Sequence, residues 1–454
     1  MDLTDRKPQT RSRLIEMLRQ DLDFHDEDSL YASHNYHSFP AKFPPQLPRL
    51  LISALSNPWD IVLDPMVGSG TTVVEAALLG RNALGFDIDP LAVLLSRVKI
   101  TPVNKCEVEQ IGAIVHERAT EAAQTQRLEK RLESAWDSRT RKFIDFWFAR
   151  ETQVELFALA NEINKVPDTK IRDFLRLVFS SIIVTKSGGV SLAFDLAHTR
   201  PHRAKVVFSA SGILLLGSEN LNSRSSRVQL LTKILRSPLD EFGKRLERNL
   251  ANLPSATNAE IIAQVQFGNA QQLPLSDAVI DLIVTSPPYI SNAIDYMRAH
   301  KFSLVWFGYP IDSLRRIRQK YIGGESTVDI PYTEMPPTTQ RLIAKISEKD
   351  PKKSLVVHRY FSEMARTLRE MYRVLKPNRA AILVVGTSMV KGIDTEISEC
   401  LSEIGQAIGF DVPCVGVRNL DRNRRMLPAS MNGIQGSQIE QRMHSEYVIG
   451  FFKP

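Results

Sequence analysis

The sequence predicts an α/β protein with a doubly wound, mostly parallel seven-stranded sheet that is interrupted by a large helical insertion. Short runs rich in β-branched residues alternate with helical patterns, as in successive βαβ units. Aspartates, glycines and prolines follow several of these runs directly, at the strand ends where open α/β sheets bind ligands. The segment 103–260 instead shows apolar residues at three- and four-residue spacing, which is typical of helices.

Seven strands are expected, and the last two are predicted to form an antiparallel pair. They are placed near 61–63, 82–86, 265–267, 279–284, 380–385, 411–417 and 446–452. Helices are expected near 47–55, 73–79, 91–98 and 360–375. The patch 186–205 interrupts the helical insertion and is expected to be a loop. The predicted domains are therefore 1–102, the insertion 103–260, and 261–454.

The composition is that of an ordinary soluble globular protein. The chain has 454 residues, of which 43% are hydrophobic and 24% charged, and a net charge of +7 that fits a polyanionic partner. The three cysteines are too few and too scattered for a disulfide framework or a zinc site, so no metal is expected. The first residues lack an apolar signal core, and no stretch approaches the ~18 apolar residues of a membrane span. We therefore expect a cytoplasmic protein.

A glycine-containing turn follows the first predicted strand. Asp64 and Pro65 end that strand, and Gly68 and Gly70 precede a helix, so a ligand can approach the backbone closely. Asp87 ends the next strand, at the spacing where an acid binds ribose hydroxyls. The turn lacks the lysine of a phosphate loop and the third glycine of a dinucleotide fingerprint. The pattern favours an uncharged or cationic ligand over a pyrophosphate.

A proline-rich loop, Thr285-Ser286-Pro287-Pro288-Tyr289, follows the predicted strand 279–284. Its prolines donate no backbone hydrogen bonds and hold φ at about −65°, which makes the loop stiff and extended. The Ser286 hydroxyl, the main-chain carbonyls and the Tyr289 ring suit a planar base that is held by its exocyclic amino group.

These motifs resemble those of the S-adenosylmethionine-dependent DNA amino-methyltransferases, the N4-cytosine/N6-adenine group of restriction-modification type. The segment Phe39–Phe43 resembles the cover over the methionine end of the cofactor, and Asp64–Thr72 resembles the cofactor glycine loop. Asp87 resembles the ribose-binding acid, and Asn269 stands where the family usually has an Asp that contacts the adenine amino group. The cofactor-binding residues implied by the resemblance are Phe39, Pro40, Lys42, Phe43, Asp64, Pro65, Gly68, Gly70, Thr71, Thr72, Asp87 and Asn269. The implied catalytic residues are Ser286, Pro287, Pro288 and Tyr289.

The resemblance implies a class I methyltransferase fold, with S-adenosylmethionine as cofactor and DNA as partner. In this family the exocyclic amino nitrogen attacks the cofactor methyl in line, without a covalent intermediate, after the base is flipped out of the duplex. Ser-Pro-Pro favours N4 of cytosine, whereas Asp-Pro-Pro or Asn-Pro-Pro favours N6 of adenine. A cognate restriction endonuclease and a homodimer are left open. The implied domains are a cofactor-binding half (1–102), a helical target-recognition region (103–260) and a catalytic half (261–454).

Basic clusters are weaker candidates for DNA contacts, since each is also compatible with a solvated face. They comprise Arg200, Arg203, Lys205, Arg315, Arg316, Arg318, Arg424 and Arg425. The aromatic cluster within 136–148 is predicted to be core. His34 and His37 suit either a place near the cofactor or DNA, or a structural role.

Two other functions compete with DNA methylation. The same fold methylates guanine amino groups of structured RNA, but such enzymes usually carry Asp-Pro-Pro-Tyr and an RNA-binding domain, and neither is recognisable in this sequence. A non-enzymatic binding module is disfavoured because the glycine loop and the Ser-Pro-Pro-Tyr loop are both intact.

Overall fold

A seven-stranded sheet forms the centre of the computed structural model, which describes residues 7–39, 42–196, 201–217, 232–253, 260–290, 295–420 and 445–454. Its strands are β1 (Ile61–Asp64), β2 (Asn82–Asp87), β3 (Ala263–Phe267), β4 (Ile280–Thr285), β5 (Leu375–Gly386), β6 (Asp411–Asn419) and β7 (Ser445–Lys453). Their order across the sheet is β6-β7-β5-β4-β1-β2-β3.

The pairing of the strands confirms the predicted doubly wound sheet. Strands β3, β2, β1, β4 and β5 pair in parallel, and β7 lies antiparallel between β5 and β6. The chain therefore runs outward in one direction from β1 and in the other from β4. This reversal creates a crevice at the carboxyl ends of β1 and β4, which is where ligands bind in such sheets.

Helices cover both faces of the sheet and form the insertion. They are α1 (Lys7–Leu18), α2 (Gln46–Leu55), α3 (Thr71–Leu78), α4 (Pro90–Ile100), α5 (Lys105–Ala123), α6 (Gln126–Glu133), α7 (Ser138–Trp147), α8 (Arg150–Asn164), α9 (Thr169–Ile183), α10 (Pro238–Ala251), α11 (Tyr296–Leu304), α12 (Ile311–Gln319), α13 (Pro337–Lys349), α14 (Pro351–Val374) and α15 (Ile397–Ile408).

Alternate residues of the central strands pack into separate cores, as the two-residue period of a strand requires. Val62 and Leu282 lie in the core beneath α1 to α3, whereas their neighbours Leu63 and Ile283 lie in the core beneath α13 to α15. Because both faces are covered, the strands are apolar throughout, and every residue of β4 is buried.

A third core joins the helical insertion to a later part of the chain. Buried residues of α5, α8, α9 and α10 pack with Phe302 from α11 and with Trp306 just after it. Most of the aromatic cluster within 136–148 belongs to this core, as Trp136, Phe143 and Phe148 contact those two rings. The domain boundaries at 102 and 260 stay predictions.

Two expectations about local structure were wrong. The helix expected over 360–375 is α14, which begins at Pro351 because the Asp350 side chain caps it and proline suits its first position. The patch expected to be a loop contains short antiparallel strands, Ala193–Asp195 and His202–Arg203. A small core around Leu192 and Ala204 stabilises them, and strands this short carry no periodic signal.

Further short strands lie outside the main sheet. Val206–Phe208 pairs with Leu214–Leu216 and Thr232–Ile234, and Met389–Val390 pairs with Ile393–Asp394. Within the described ranges, no helix combines the length and apolar character needed to cross a membrane.

Candidate functional site

A pocket opens at the carboxyl ends of β1, β2, β3 and β4, the crevice created by the strand order. The space between its walls is roughly 890 Å³, a figure that includes volume open to solvent. Its lining residues are Phe39, Lys42, Phe43, Asp64, Pro65, Met66, Val67, Gly68, Ser69, Thr71, Asp87, Ile88, Asp89, Ala92, Gly268, Asn269, Ala270, Ser286, Pro288, Tyr296, Lys320, Tyr321 and Ile322. Most of the residues predicted from the two loops therefore share one cavity.

The glycine loop lies between β1 and α3 and is held by side chains of α4. Gly68 and Gly70 adopt left-handed φ values of +48° and +84°, which only glycine accepts easily. The Ser96 hydroxyl donates to the Gly68 carbonyl at 2.9 Å, and the Lys99 ammonium donates to the Ser69 carbonyl at 2.6 Å. A Cβ on Gly70 would lie only 2.9 Å from the Ser96 hydroxyl, so glycine is also required for space.

Two aspartates stand at the ends of adjacent strands. Asp64 accepts hydrogen bonds from the Thr285 hydroxyl at 2.6 Å and the Met66 amide at 3.1 Å, and burial raises its pKa to about 6. Asp87 accepts the amides of Gly68 and Asp89, each at 2.9 Å. Burial, followed by the negative charge of Asp89, raises the pKa of Asp87 to about 7. A cationic ligand would favour the ionised form of both acids.

Aromatic side chains also line the pocket. The Phe39 ring stacks on Tyr296 with their centroids 5.3 Å apart, and it lies 3.5 Å from the position of a Cβ on Gly68. Phe43 is buried in the sheet core and reaches the pocket, while the Lys42 ammonium donates to the His34 carbonyl. The predicted cofactor residue Pro40 lies outside the described residues.

His34 and His37 have structural contacts. His34 Nε2 lies 2.7 Å from Glu75 Oε1, and His37 Nε2 lies 2.9 Å from the Ser180 hydroxyl of the helical insertion. Both rings are buried, and burial lowers the pKa of His37 to about 3, so this ring stays neutral. The two histidines fasten the segment before Phe39 to α3 and α9.

The Ser-Pro-Pro-Tyr loop is only partly at the pocket surface. Ser286 and Pro288 line the pocket, whereas Pro287 is buried behind them. The Tyr289 hydroxyl donates to Glu446 Oε1 at 2.8 Å, and the Ser286 hydroxyl lies 3.5 Å from that of Tyr289. Burial, followed by the charge of Glu446, raises the pKa of Tyr289 well above its usual value, so the phenol stays protonated.

Other predicted cofactor residues have supporting contacts. Thr72 donates its hydroxyl to the Val284 carbonyl at 3.1 Å and so joins α3 to β4, and the Thr71 hydroxyl lies 3.0 Å from that of Ser69. Asn269 lines the pocket, and its side-chain oxygen accepts the Gln271 amide at 3.0 Å. The amide nitrogen of Asn269 is a donor that the family's usual Asp lacks.

The segment 320–322 forms a pocket wall that the sequence did not reveal. The Tyr321 hydroxyl donates to Asp89 Oδ2 at 2.6 Å, and the same oxygen lies 2.6 Å from His300 Nδ1. The buried Arg359 guanidinium donates to the Tyr321 carbonyl and to Glu363. The one available signal was the spacing of four between Arg359 and Glu363, although the predicted helix began only at residue 360.

The predicted DNA-contact residues are dispersed. Arg315 and Arg316 are exposed on α12, and Arg318 pairs with Asp295 at 2.6 Å. Lys205 is exposed, and the Arg203 guanidinium lies 4.6 Å from the centre of the Phe146 ring. Arg200, Arg424 and Arg425 lie outside the described residues.

The pocket fits S-adenosylmethionine by the chemistry of its lining. Carboxylates suit ribose hydroxyls and a cationic sulfonium, aromatic faces attract cations, and left-handed glycines let a ligand approach the backbone. Asp64, Gly68 and Asp87 would hold the cofactor together with Phe39, whose ring lies beside Gly68.

Comparisons with known proteins give the same assignment. The N6- and N4-methyltransferase family model, described as a DNA methylase, matches residues 11–97. The Type II methyltransferase M.MvaI of Kocuria varians is 25% identical over 419 residues, covering 87% of this chain and 85% of that protein. M.BsoBI of Geobacillus stearothermophilus is 23% identical over 382 residues, covering 82% and 70%. The DNA adenine methyltransferase YhdJ of Escherichia coli (strain K12) is 29% identical over 98 residues, covering 22% and 33%.

The sheet, with its antiparallel last strand and its pocket at the strand reversal, defines a class I methyltransferase that uses S-adenosylmethionine. Together with these relatives, it shows that the chain is similar to the S-adenosylmethionine-dependent DNA amino-methyltransferases of restriction-modification type.

Proposed function

We propose that this enzyme methylates N4 of a cytosine that is flipped out of DNA at a specific sequence. One observation carries the proposal: Ser286 of the Ser-Pro-Pro-Tyr loop lines the same pocket as Gly68 and Asp87. A base that reaches Ser286 is thereby brought beside the cofactor residues.

The cofactor side of the pocket would position the methyl donor. Asp87 accepts the ribose hydroxyls, the Gly68 backbone permits close approach, and Phe39 with Phe43 covers the methionine end. S-adenosylmethionine, when bound, supplies an electrophilic methyl group. Because Asp64 and Asp87 line this side, their carboxylates would stabilise the positively charged sulfonium.

The loop side would activate the amino group. The lone pair of an exocyclic amino nitrogen is delocalised into the ring, so the nitrogen is a weak nucleophile. The Ser286 hydroxyl and the Pro287 carbonyl each accept one N–H, which favours a more tetrahedral nitrogen. Tyr289 stacks on the base, and holding both reactants in one geometry supplies much of the rate.

The base must leave the duplex to reach this loop, because a paired cytosine presents no free amino group to a recessed pocket. The helical region 103–260 is the candidate for target recognition, with Arg203, Lys205 and the exposed arginines of α12 as phosphate contacts. A cognate restriction endonuclease and a homodimer remain proposals from the family.

Cytosine is preferred over adenine because position 286 is a serine rather than the Asp or Asn of the adenine-directed loops. N6-adenine methylation by the same site is the alternative. One comparison favours it, since YhdJ is a DNA adenine methyltransferase, although the similarity covers only 22% of this chain.

The test is modification-sensitive sequencing of DNA from cells that express the wild-type chain or Ser286→Ala. We expect N4-methylcytosine at one sequence motif with the wild type and its loss with the variant. N6-methyladenine at the motif would replace the cytosine assignment by the adenine one. If no motif is modified by a folded, cofactor-binding protein, and labelled methyl goes to RNA instead, the DNA assignment is wrong.

A further inference from the structure

The Ser-Pro-Pro-Tyr loop is tied to the far side of the sheet by a side-chain pair in the last two strands. Glu446 at the start of β7 lies directly opposite Arg418 of β6, and its Oε2 accepts a hydrogen bond from the Arg418 guanidinium. The other oxygen, Oε1, accepts the Tyr289 hydroxyl at 2.8 Å. The carboxylate therefore bridges the arginine and the loop.

The Glu446 carboxylate is held in one orientation by its surroundings. Glu446 and Arg418 are only 7% and 8% exposed, so the carboxylate has little freedom to rotate and its charge is compensated locally. On its other side, Glu446 lies opposite Gly386 at the end of β5. The glutamate thus reaches past a residue with no side chain towards the loop that follows β4.

A second contact fixes the residue after Tyr289. The Ser388 hydroxyl donates to the Ile290 carbonyl at 2.6 Å, and both residues are buried. The Ser286 hydroxyl lies 3.5 Å from the Tyr289 hydroxyl. A short series of contacts therefore runs from Ser286 through Tyr289 to Glu446. The loop is therefore restrained at its tyrosine and just beyond it.

We infer that Glu446, held by Arg418, is a positioning residue that fixes the Tyr289 phenol and through it the geometry of the loop that receives the base. The inference rests on the proposed function for its kinetic consequence, whereas the tie itself is a property of the folded chain. Glu446 takes no part in bond making. It acts only through the Tyr289 hydroxyl.

Two conservative variants separate this role from a purely structural one. Tyr289→Phe keeps the ring and removes only the hydroxyl. Glu446→Gln keeps the size but replaces one carboxylate oxygen by an NH2 group, so Tyr289 and Arg418 can no longer each donate to a separate oxygen. Asp411→Asn is the matched control, because Asp411 lies at the other end of β6 in an exposed pair with Arg11.

The first measurement is amide hydrogen exchange of the peptide that spans 280–290, on the full-length protein without DNA. We expect exchange at Tyr289 and Ile290 to be roughly threefold to tenfold faster in both variants, the range for one lost hydrogen bond, and unchanged in Asp411→Asn. Exchange at the wild-type rate in Tyr289→Phe would overturn the inference, whether or not the protein methylates DNA.

The second measurement is the single-turnover rate of methyl transfer to DNA for both variants and for the double variant. If Glu446 acts through Tyr289, each single variant lowers the rate about tenfold, cofactor affinity is unchanged, and the double variant is no slower than Tyr289→Phe. Independent, multiplying effects contradict the inference. If the wild type is inactive, the proposed function is contradicted instead. The hydrogen-exchange experiment still tests the contact between Tyr289 and Glu446.

Discussion

The two sides of the pocket are held in place by different kinds of contact. The cofactor side is fixed by side chains that are comparatively near in sequence to the glycine loop: the Asp87 carboxylate accepts the Gly68 amide, and the Ser96 hydroxyl donates to the Gly68 carbonyl. The base side is fixed by side chains that are distant in sequence, as the Tyr289–Glu446 and Tyr321–Asp89 hydrogen bonds show.

This difference indicates a division of labour. The cofactor side provides a binding surface that follows directly from one βαβ unit, whereas the base side requires the whole sheet and α14 to be in place. Changes on the cofactor side should therefore act mainly on cofactor affinity, and changes on the base side mainly on the rate of methyl transfer.

The largest effect is expected for Ser286→Ala, which removes the hydroxyl that accepts an N–H of the base. The rate of methyl transfer should fall about 100-fold or more, the usual cost of losing one hydrogen-bonding group aimed at the reacting atoms, with cofactor affinity within twofold of wild type. Ser402→Ala is the control, since the buried Ser402 hydroxyl has no hydrogen-bond partner within the part of the chain that the structure describes. Weaker cofactor binding in Ser286→Ala, measured by calorimetry, would show that the two sides of the pocket do not act separately.

Asp87→Asn tests the other side. The amide keeps the size of the carboxylate but is a weaker acceptor for ribose hydroxyls, so the cofactor Kd should rise about 10- to 100-fold. The rate at saturating cofactor should change far less. A variant with normal Kd but a slow rate would show that Asp87 does not hold the cofactor.

Cofactor affinity should also depend on pH, because the pKa of Asp87 is about 7 and the cationic cofactor favours its ionised form. Below pH 7 the free enzyme holds a proton that binding must release, so the Kd should increase with falling pH, by up to about tenfold per unit. Asp64, with a pKa of about 6, extends the dependence downward. Calorimetry from pH 5.5 to 8.5 on wild type and Asp87→Asn should show the step near pH 7 in the wild type only.

Tyr321→Phe should have a smaller effect, which reports on the wall that the sequence did not predict. The change removes the hydrogen bond to Asp89 while the ring remains, and a roughly threefold to tenfold lower rate of methyl transfer is expected, with cofactor affinity close to that of the wild type. Tyr332→Phe, an identical change at an exposed tyrosine nearby, is the control and should be silent. If Tyr321→Phe and Tyr332→Phe have the same effect, Tyr321 has no specific role in the site.

The smallest effect is expected for Arg315→Ala on the exposed face of α12. One lost phosphate contact should weaken DNA binding about threefold at moderate salt and reduce the slope of log K against log salt by about 1. Lys345→Ala, on the exposed face of α13, should leave the slope unchanged. Identical slopes for both variants would place α12 away from DNA.

The same contrast explains how far the sequence could predict the molecule. Asp64, Gly68 and Asp87 lie within one βαβ unit, so their spacing alone brings them together, and the seven strands were recognised from local apolar runs. Tyr321 and Glu446 were missed because their positions depend on tertiary partners. A buried Arg359 holds the first, and strand register brings the second beside Tyr289.

The most direct test of the central claim is mass spectrometry of nucleosides from duplex DNA that has been incubated with the purified protein and isotopically labelled S-adenosylmethionine. We expect label on an exocyclic amino group, in N4-methylcytosine, and its loss with Ser286→Ala. Label on a ring carbon of a base, or no label in DNA from an enzyme that binds the cofactor, would contradict it.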